Sequence, residues 1–226
     1  MEIMKKSSEK IYSNQGNPTV LFEIKNLAQK PSKILDLGCG NGDLGRFLKN
    51  DSHYIDGVTI SEMEYTIAQK VIDQVYVYNL ENGLPEEVLK NKYDIILCSH
   101  ILEHICYPSK LLLDIKSVLN TDGYIVVCLP NILHYKSRLE LLKGNFNYAE
   151  VGLWDQTHFK WYTFASAERL FLNSGFKVKQ KYVTGEMPFG RLLDFVPIQI
   201  KKKIFFYLTK ISSGFFGDQL VYILQK

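Results

Sequence analysis

Short apolar runs alternate with segments of helical periodicity along most of the chain. This alternation is typical of a largely parallel sheet whose strands are joined by helices. The pattern predicts seven strands, at residues 33–37, 53–59, 74–79, 93–98, 123–129, 176–183 and 219–225. It predicts helices at residues 19–29, 42–49, 108–119, 131–143 and 164–173. Ser61 and Glu64 have the spacing of a capping box and predict one more helix after strand two.

The chain length of 226 residues suits one α/β domain and would be cramped for two. We therefore predict a single domain over residues 1–226, with a helical cap at 1–30 and an inserted segment at 186–218 between strands six and seven. A hairpin needs only a few residues, so an insertion of this length is expected to be functional. Its run KKKIFFYLTK is compatible with a lid over a pocket, a homodimer contact or a membrane-surface helix. A lid or a dimer contact is the favoured interpretation.

Composition narrows the possible partners and the compartment. The formal net charge of +3, from 27 basic and 24 acidic residues, does not favour a nucleic-acid partner. The four cysteines form no CxxC pair and no zinc-ligand spacing. The chain has no run of about 18 apolar residues and no apolar stretch after its N-terminal lysines, so we predict no transmembrane segment and no secretory signal. We expect a cytoplasmic protein.

The segment ILDLGCGNGDLG, residues 34–45, carries the strongest chemical signal. An apolar strand is followed by a glycine-rich turn and then by the start of a helix, whose free N–H groups can bind a ligand. Gly40, Gly42 and Gly45 also satisfy the dinucleotide pattern GxGxxG, which predicts an NAD-type oxidoreductase as one alternative. That pattern expects an acidic residue about 20 positions on to bind the ribose. Asp56 is near that distance, but strand two ends at Thr59.

Three segments in order carry a family resemblance. The DxGxGxG form that begins at Asp36 resembles motif I of the class I methyltransferases that use S-adenosylmethionine (SAM). YDIILCSHILEHI and LLLDIKSVLNTDGYIVVCLPN resemble the following motifs of that family, and together they cover roughly residues 30–185. The resemblance implies a Rossmann-like, seven-stranded mixed sheet with helices on both faces and an antiparallel last strand. It also implies SAM as the cofactor.

The same resemblance assigns cofactor contacts to positions of this chain. The loop 38–42 is expected to contact the methionine part of SAM, which Asp36 would orient. The family's usual ribose-binding carboxylate is replaced by Thr59, so Glu62 is the candidate for that contact. Asn79 and Leu80 would contact the adenine. The full expected set is Asp36, Gly38, Cys39, Gly40, Asn41, Gly42, Thr59, Ser61, Glu62, Asn79, Leu80 and Ser99.

Histidines after strand four are the candidates for proton transfer. His100 and His104 are four residues apart, so on a helix they would share one face with Glu103 beside them. Histidine can remove a proton near neutral pH. We therefore predict His100 or His104 as the proton acceptor and His158 as a residue of the acceptor pocket. A purely structural role in holding the next loop is the competing interpretation for His104.

The predicted reaction is methyl transfer from SAM to an oxygen or nitrogen of a small molecule, with sugar, cell-surface or secondary-metabolite precursors favoured. Two alternatives stay open besides the NAD-type oxidoreductase. HxxEH followed by a distant histidine is similar to the metal site of small-RNA 3′-end 2′-O-methyltransferases, which predicts a metal-assisted hydroxyl methyltransferase with His100, Glu103, His104 and His158 as ligands. The other alternative is a catalytically silent SAM-binding protein.

Overall fold

The computed structural model describes residues 18–28, 31–48, 52–185, 188 and 195–226. Its centre is a seven-stranded sheet with the order β3-β2-β1-β4-β5-β7-β6. The first five strands are parallel, and β7 runs antiparallel to both β5 and β6. The strands are β1 Lys33–Leu37, β2 Tyr54–Thr59, β3 Gln74–Val77, β4 Tyr93–Ser99, β5 Leu119–Pro130, β6 Lys177–Thr184 and β7 Gln219–Gln225. The mixed sheet and its antiparallel last strand confirm the sequence prediction.

Helices precede or connect most of the strands. They are α1 Pro18–Leu27, α2 Asp43–Leu48, α3 Glu62–Ala68, α4 Glu86–Leu89, α5 Pro108–Val118, α6 Tyr135–Leu142, α7 Phe164–Asn173, α8 Ile198–Ile211 and α9 Ser213–Phe216. Short 3-10 turns occupy Leu80–Asn82 and Leu102–His104. Within the described residues, every helix is too short or too polar to cross a membrane.

The strands bury side chains on both faces because helices cover both sides of the sheet. Alternate residues of β1 point to opposite faces, so Leu35 and Leu37 join one apolar cluster while Ile34 joins the other. Helices α5 and α7 complete the first cluster, and α1, α2 and α3 complete the second. The predicted two-sided helical cover is therefore confirmed.

Two element boundaries differ from the sequence prediction, and at each of them an asparagine side chain accepts a hydrogen bond from a backbone N–H group. The predicted helix 131–143 begins only at Tyr135. Asn131 pairs with Tyr162 in an isolated bridge, and its Oδ1 accepts a hydrogen bond from the backbone N–H of Leu133 at 3.0 Å. The third strand ends at Val77 because the Oδ1 of Asn79 accepts from the N–H of Glu81 and starts a 3-10 turn.

The predicted cap at residues 1–30 and insertion at 186–218 fall partly outside the described residues. The described part of the cap contains α1, and that of the insertion contains α8 and α9. The strand order reverses between β1 and β4, where chain connections leave the sheet in opposite directions. Open α/β sheets bind ligands at such a switch point, outside the carboxyl ends of the strands.

Candidate active site

A cavity of about 660 Å³ opens at this switch point. This volume falls within the range of small-molecule sites. Its walls come from the loop after β1, the ends of β2 and β4, the turn after β3, the segments around α6 and before α7, and the start of β7. The predicted site residues that line it are Gly38, Gly40, Thr59, Asn79, Leu80, Ser99, His100, His104 and His158.

The glycine loop is held against β2 by its backbone. The carbonyl of Val58 accepts hydrogen bonds from the N–H groups of Gly38 at 2.8 Å and Cys39 at 3.0 Å. Gly38 has a φ of +77°, and a Cβ at this residue would lie 2.0 Å from the Cδ1 of Ile101. Both the backbone conformation and the close approach therefore require glycine at this wall of the cavity.

A buried carboxyl and two unsatisfied polar atoms belong to the loop and the strand ends beside it. Asp36 is 6% exposed, and burial raises the pKa of its carboxyl to about 7. The Oδ1 of Asn41 and the Oγ of Ser99 are buried without a hydrogen-bond partner. Buried polar atoms are normally satisfied, so this group is suited to receive a polar, cationic ligand. The amino acid part of SAM has that chemistry.

Not every predicted cofactor residue reaches the cavity wall. Asp36, Cys39, Asn41 and Gly42 lie outside the lining and support the loop, and Ser61 caps α3 with its hydroxyl. Glu62 is exposed on the first turn of α3 and lies outside the cavity lining. The predicted cofactor residues therefore fall into two groups, those that line the cavity and those that lie outside the lining.

Glu64 supplies the carboxylate at the end of β2, and the sequence interpretation missed it. Its Oε2 accepts a hydrogen bond of 2.5 Å from the Oγ1 of Thr59, and its side chain is 3% exposed and lines the cavity. The signal in the sequence was the capping-box spacing from Ser61 to Glu64. The Ser61 hydroxyl does accept from the Glu64 N–H, but the Glu64 side chain turns to Thr59 and the cavity.

The carboxylate that a dinucleotide site would use is already engaged. Asp56 is 1% exposed, accepts a hydrogen bond of 2.7 Å from the Tyr93 hydroxyl and lies 3.5 Å from the Nζ of Lys33. It lies in the middle of β2 rather than at its end, and it does not line the cavity. The structure therefore does not favour the NAD alternative.

His100 pairs with a buried carboxylate at the cavity wall. Its Nδ1 lies 3.2 Å from the Oε1 of Glu103, whose side chain is fully buried. Burial lowers the pKa of His100, but the hydrogen bond and charge of Glu103 and the charge of Asp218 outweigh it and raise this pKa above its ordinary value. His100 also has a φ of +57°, an uncommon conformation that is typical of functional sites.

His104 contacts the segment before α7, and the shared helical face that the spacing suggested does not form. The chain forms a 3-10 turn at Leu102–His104 rather than an α-helix. The Nδ1 of His104 lies 3.2 Å from the carbonyl of Thr157 and 3.0 Å from its hydroxyl, which donates to Asp155. A carbonyl can only accept, so Nδ1 carries the proton and Nε2 the lone pair. Burial lowers the pKa of His104 and favours this neutral form.

His158 adopts the same arrangement as His104. Its Nδ1 lies 3.0 Å from the carbonyl of Leu153, and the two imidazole rings meet edge to face at 4.6 Å. Glu103, His104 and His158 each offer a donor atom within 4.8 Å of the others, and the Oε2 of Glu103 has no hydrogen-bond partner. Of the four ligands proposed from the sequence, the described residues bring together these three and leave out His100.

Comparison with known proteins now identifies the family. The sequence model of the methyltransferase domain family matches residues 15–181, which is more than half of the chain. This chain belongs to the methyltransferase domain family. The predicted class I, SAM-dependent methyltransferase domain is thereby confirmed, and with it the cofactor.

Two curated relatives of the methyltransferase are ubiquinone biosynthesis O-methyltransferases. The protein of Pasteurella multocida is 29% identical over 134 residues, which are 50% of this chain and 52% of that protein. The protein of Coxiella burnetii (strain Dugway 5J108-111) is 26% identical over 150 residues, 63% of this chain and 64% of that protein. The methyltransferase thus spans about half to two thirds of the length of these relatives.

Solved structures share the fold of the methyltransferase. A SAM-dependent methyltransferase from Archaeoglobus fulgidus superposes with a TM-score of 0.64 at 20% identity and covers 92% of this chain and 94% of its own. Magnesium protoporphyrin IX methyltransferase from Synechocystis PCC 6803, with bound SAH, gives 0.62 at 14% identity and covers 92% of this chain and 81% of its own. At these identities the likeness supports the sheet order and its antiparallel strand.

Proposed function

We propose that this methyltransferase transfers the methyl group of SAM to a hydroxyl oxygen of a small molecule, with His100 as the general base. The main observation in favour of this proposal is the His100–Glu103 pair, which lies at the wall of the same cavity as the glycine loop. The O-methyltransferase names of the relatives support oxygen as the acceptor atom. Sugars and cell-surface or secondary-metabolite precursors are the proposed acceptors.

The residues of the cavity fit SAM. Asp36, which is buried just before the glycine loop and outside the lining, would pair with its amino group. The backbone at Gly38 and Gly40 would allow its close approach, and Glu64 with Thr59 would bind the ribose hydroxyls. When bound, SAM supplies an electrophilic methyl group on its sulfonium. The chain has to align the acceptor, exclude water and remove one proton.

His100 can receive that proton at Nε2. In the neutral ring, the hydrogen bond to Glu103 keeps the proton on Nδ1 and leaves the lone pair on Nε2. As the acceptor oxygen forms its new bond to carbon, its hydroxyl proton passes to Nε2. The positive charge that develops on the ring is stabilised by the Glu103 carboxylate, whose own pKa is lowered because contact with His100 outweighs burial. Glu103 is thus a positioning residue.

The acceptor side of the cavity is apolar and partly aromatic. Val151, Leu153, Trp154 and Phe159 line it between α6 and α7. Such walls hold the flat or apolar part of a ligand while a few polar groups fix its orientation. This arrangement supports a small molecule as the acceptor. A cytoplasmic location and a homodimer stay predictions from the sequence.

Replacing Gly38 tests whether the cofactor lies where we propose. Gly38→Val is expected to abolish binding of S-adenosylhomocysteine, since a branched side chain is strained at φ +77°, would displace the side chain of Ile101 and would project at the cavity wall. Titration calorimetry measures the affinity, and the wild type should bind this ligand but not NAD. Gly144→Val is the matched control, because Gly144 also has a positive φ of +78° but has nothing within 4 Å of an added Cβ. Unchanged affinity in Gly38→Val would contradict the placement.

A metal-assisted hydroxyl methyltransferase is the second candidate. It is favoured by the two lone pairs at Nε2 of His104 and His158, each fixed by an Nδ1–H hydrogen bond to a carbonyl. Metal-bound histidines in proteins are held in this way. The unpartnered Oε2 of Glu103 would complete a set suited to a divalent transition ion.

Metal analysis separates the two candidates. If the metal-assisted mechanism is correct, purified protein should contain about one divalent ion per chain. The His158→Ala variant should then lose both the ion and the methyl transfer activity. His134→Ala, which changes another histidine at the cavity wall, should keep the ion. Full activity after exhaustive chelation would eliminate this candidate and leave the metal-free mechanism at His100.

A further inference from the structure

Helix α8 extends from the body of the domain. None of its residues is buried, and its main contact is with the short helix α9. Helix α9 is tied to the cavity rim, because the Nδ2 of Asn131 donates hydrogen bonds to the carbonyls of Gly214 at 2.9 Å and Gly217 at 2.7 Å. The described residues from 195 to 217 do not line the cavity. The lid interpretation of the insertion stays a prediction from the sequence, without support from these residues.

An apolar stripe runs along the exposed side of α8. Ile200, Ile204, Tyr207 and Ile211 follow one another at spacings of four, three and four, which places them on one face of a helix. Their exposed fractions are 50%, 38%, 54% and 79%. In the part of the chain that the structure describes, this face is therefore only partly covered, although moving apolar surface out of water lowers the free energy.

The charges on α8 indicate which surface covers the stripe. The helix carries four lysines, at 201–203 and 210, and no acidic residue, whereas the whole chain is nearly balanced. At 100° per residue, Lys203 and Lys210 fall along one edge of the stripe and Lys201 along the other. Long lysine stems can lie on an apolar layer while their ammonium groups reach its polar boundary. The distribution complements a negatively charged interface above an apolar layer.

We propose that α8 lies in the surface of an anionic lipid bilayer. Its apolar stripe would enter the boundary of the acyl chains, and Lys203 and Lys210 would contact the phosphates of the headgroups. With 14 residues, the helix is suited to lie on the bilayer and not to cross it. The proposal is independent of the acceptor and of the general base.

Co-sedimentation of the full chain with vesicles tests the proposal. The wild type should bind vesicles of phosphatidylcholine with phosphatidylglycerol, bind pure phosphatidylcholine weakly, and lose affinity as salt rises. Lys203→Gln with Lys210→Gln should weaken binding about 30-fold, since each lysine near an anionic surface contributes about fivefold. Ile200→Ser with Ile211→Ser should weaken it as well. Lys177→Gln with Lys179→Gln, two exposed positions near the start of β6, should bind as the wild type does.

Three results would overturn the proposal. The first is no binding of the wild type to anionic vesicles. The second is equal binding by the α8 variants and the β6 control, which would mean that another surface contacts the lipid. The third is a lipid-free dimer that Ile200→Ser with Ile211→Ser dissociates and that does not bind vesicles, which would make a second copy of the chain the partner. Affinity for S-adenosylhomocysteine should be the same in all variants.

Discussion

His100→Asn is expected to lower kcat for methyl transfer by about 10²- to 10⁴-fold, the usual contribution of a positioned general base. Asparagine tolerates the left-handed backbone that His100 adopts at φ +57°, so the variant should fold. It cannot take a proton, however, and the acceptor hydroxyl would have to ionise without help. The measurement is the rate of S-adenosylhomocysteine formation with an acceptor that the wild type methylates. Affinity for the cofactor should change little.

His134→Asn is the matched control for this prediction. His134 lines the same cavity and is more deeply buried than His100, and burial lowers its pKa to about 4, so it is a weak base. Its replacement should leave kcat within a few-fold of the wild type. A large loss of kcat in His134→Asn together with a near-normal kcat in His100→Asn would mean that His134, and not His100, is the general base. Cofactor binding without methyl transfer to any acceptor in the wild type would favour the silent binding protein.

Comparing Glu62 with Glu64 shows which part of the site the sequence could predict. The pattern of glycines and strands located the loop, the end of β2 and the histidine segment. It could not say which glutamate turns toward the cavity, because this depends on how α3 starts. Ser61 caps the helix in an extended conformation, which leaves Glu62 exposed in the first turn and lets Glu64 return to Thr59. Side-chain direction at a helix start is a property of the cap and not of the spacing alone.

The surroundings of His100 were unpredictable for a related reason. Spacing placed His100 and His104 on one helical face, but the chain forms a 3-10 turn that begins after His100. The charge of Asp218, which raises the pKa of His100, comes from the loop before β7 and is distant in the sequence. A local pattern gives no information on a contact that the fold makes between distant segments. The core strands were easier, since each required only a buried apolar run.

The second large effect is expected from Asp36→Asn, which should stabilise the ligand-free protein at pH 8. Burial raises the pKa of Asp36 from an ordinary 3.8 to about 7. The folded chain therefore binds this proton more tightly than the unfolded chain, and stability is lost as pH rises from about 4 through 7. The uncharged amide removes that loss, which amounts to at most about 4 kcal/mol of the free energy of unfolding at pH 8. Thermal unfolding should show a higher Tm at pH 8 and little change at pH 4.

Asp122→Asn, which changes an exposed carboxylate near the start of β5, is the control and should leave the Tm unchanged at both pH values. The same Asp36→Asn variant should bind S-adenosylhomocysteine at least about 30-fold more weakly, because removing one partner of a buried charge pair costs 2–5 kcal/mol. In the wild type, a bound ammonium favours the ionised carboxylate, so binding releases a proton and affinity falls as pH drops below about 7. A stability gain without loss of affinity would mean that Asp36 is buried for the fold alone, and the amino group of SAM would then have to lie elsewhere in the cavity.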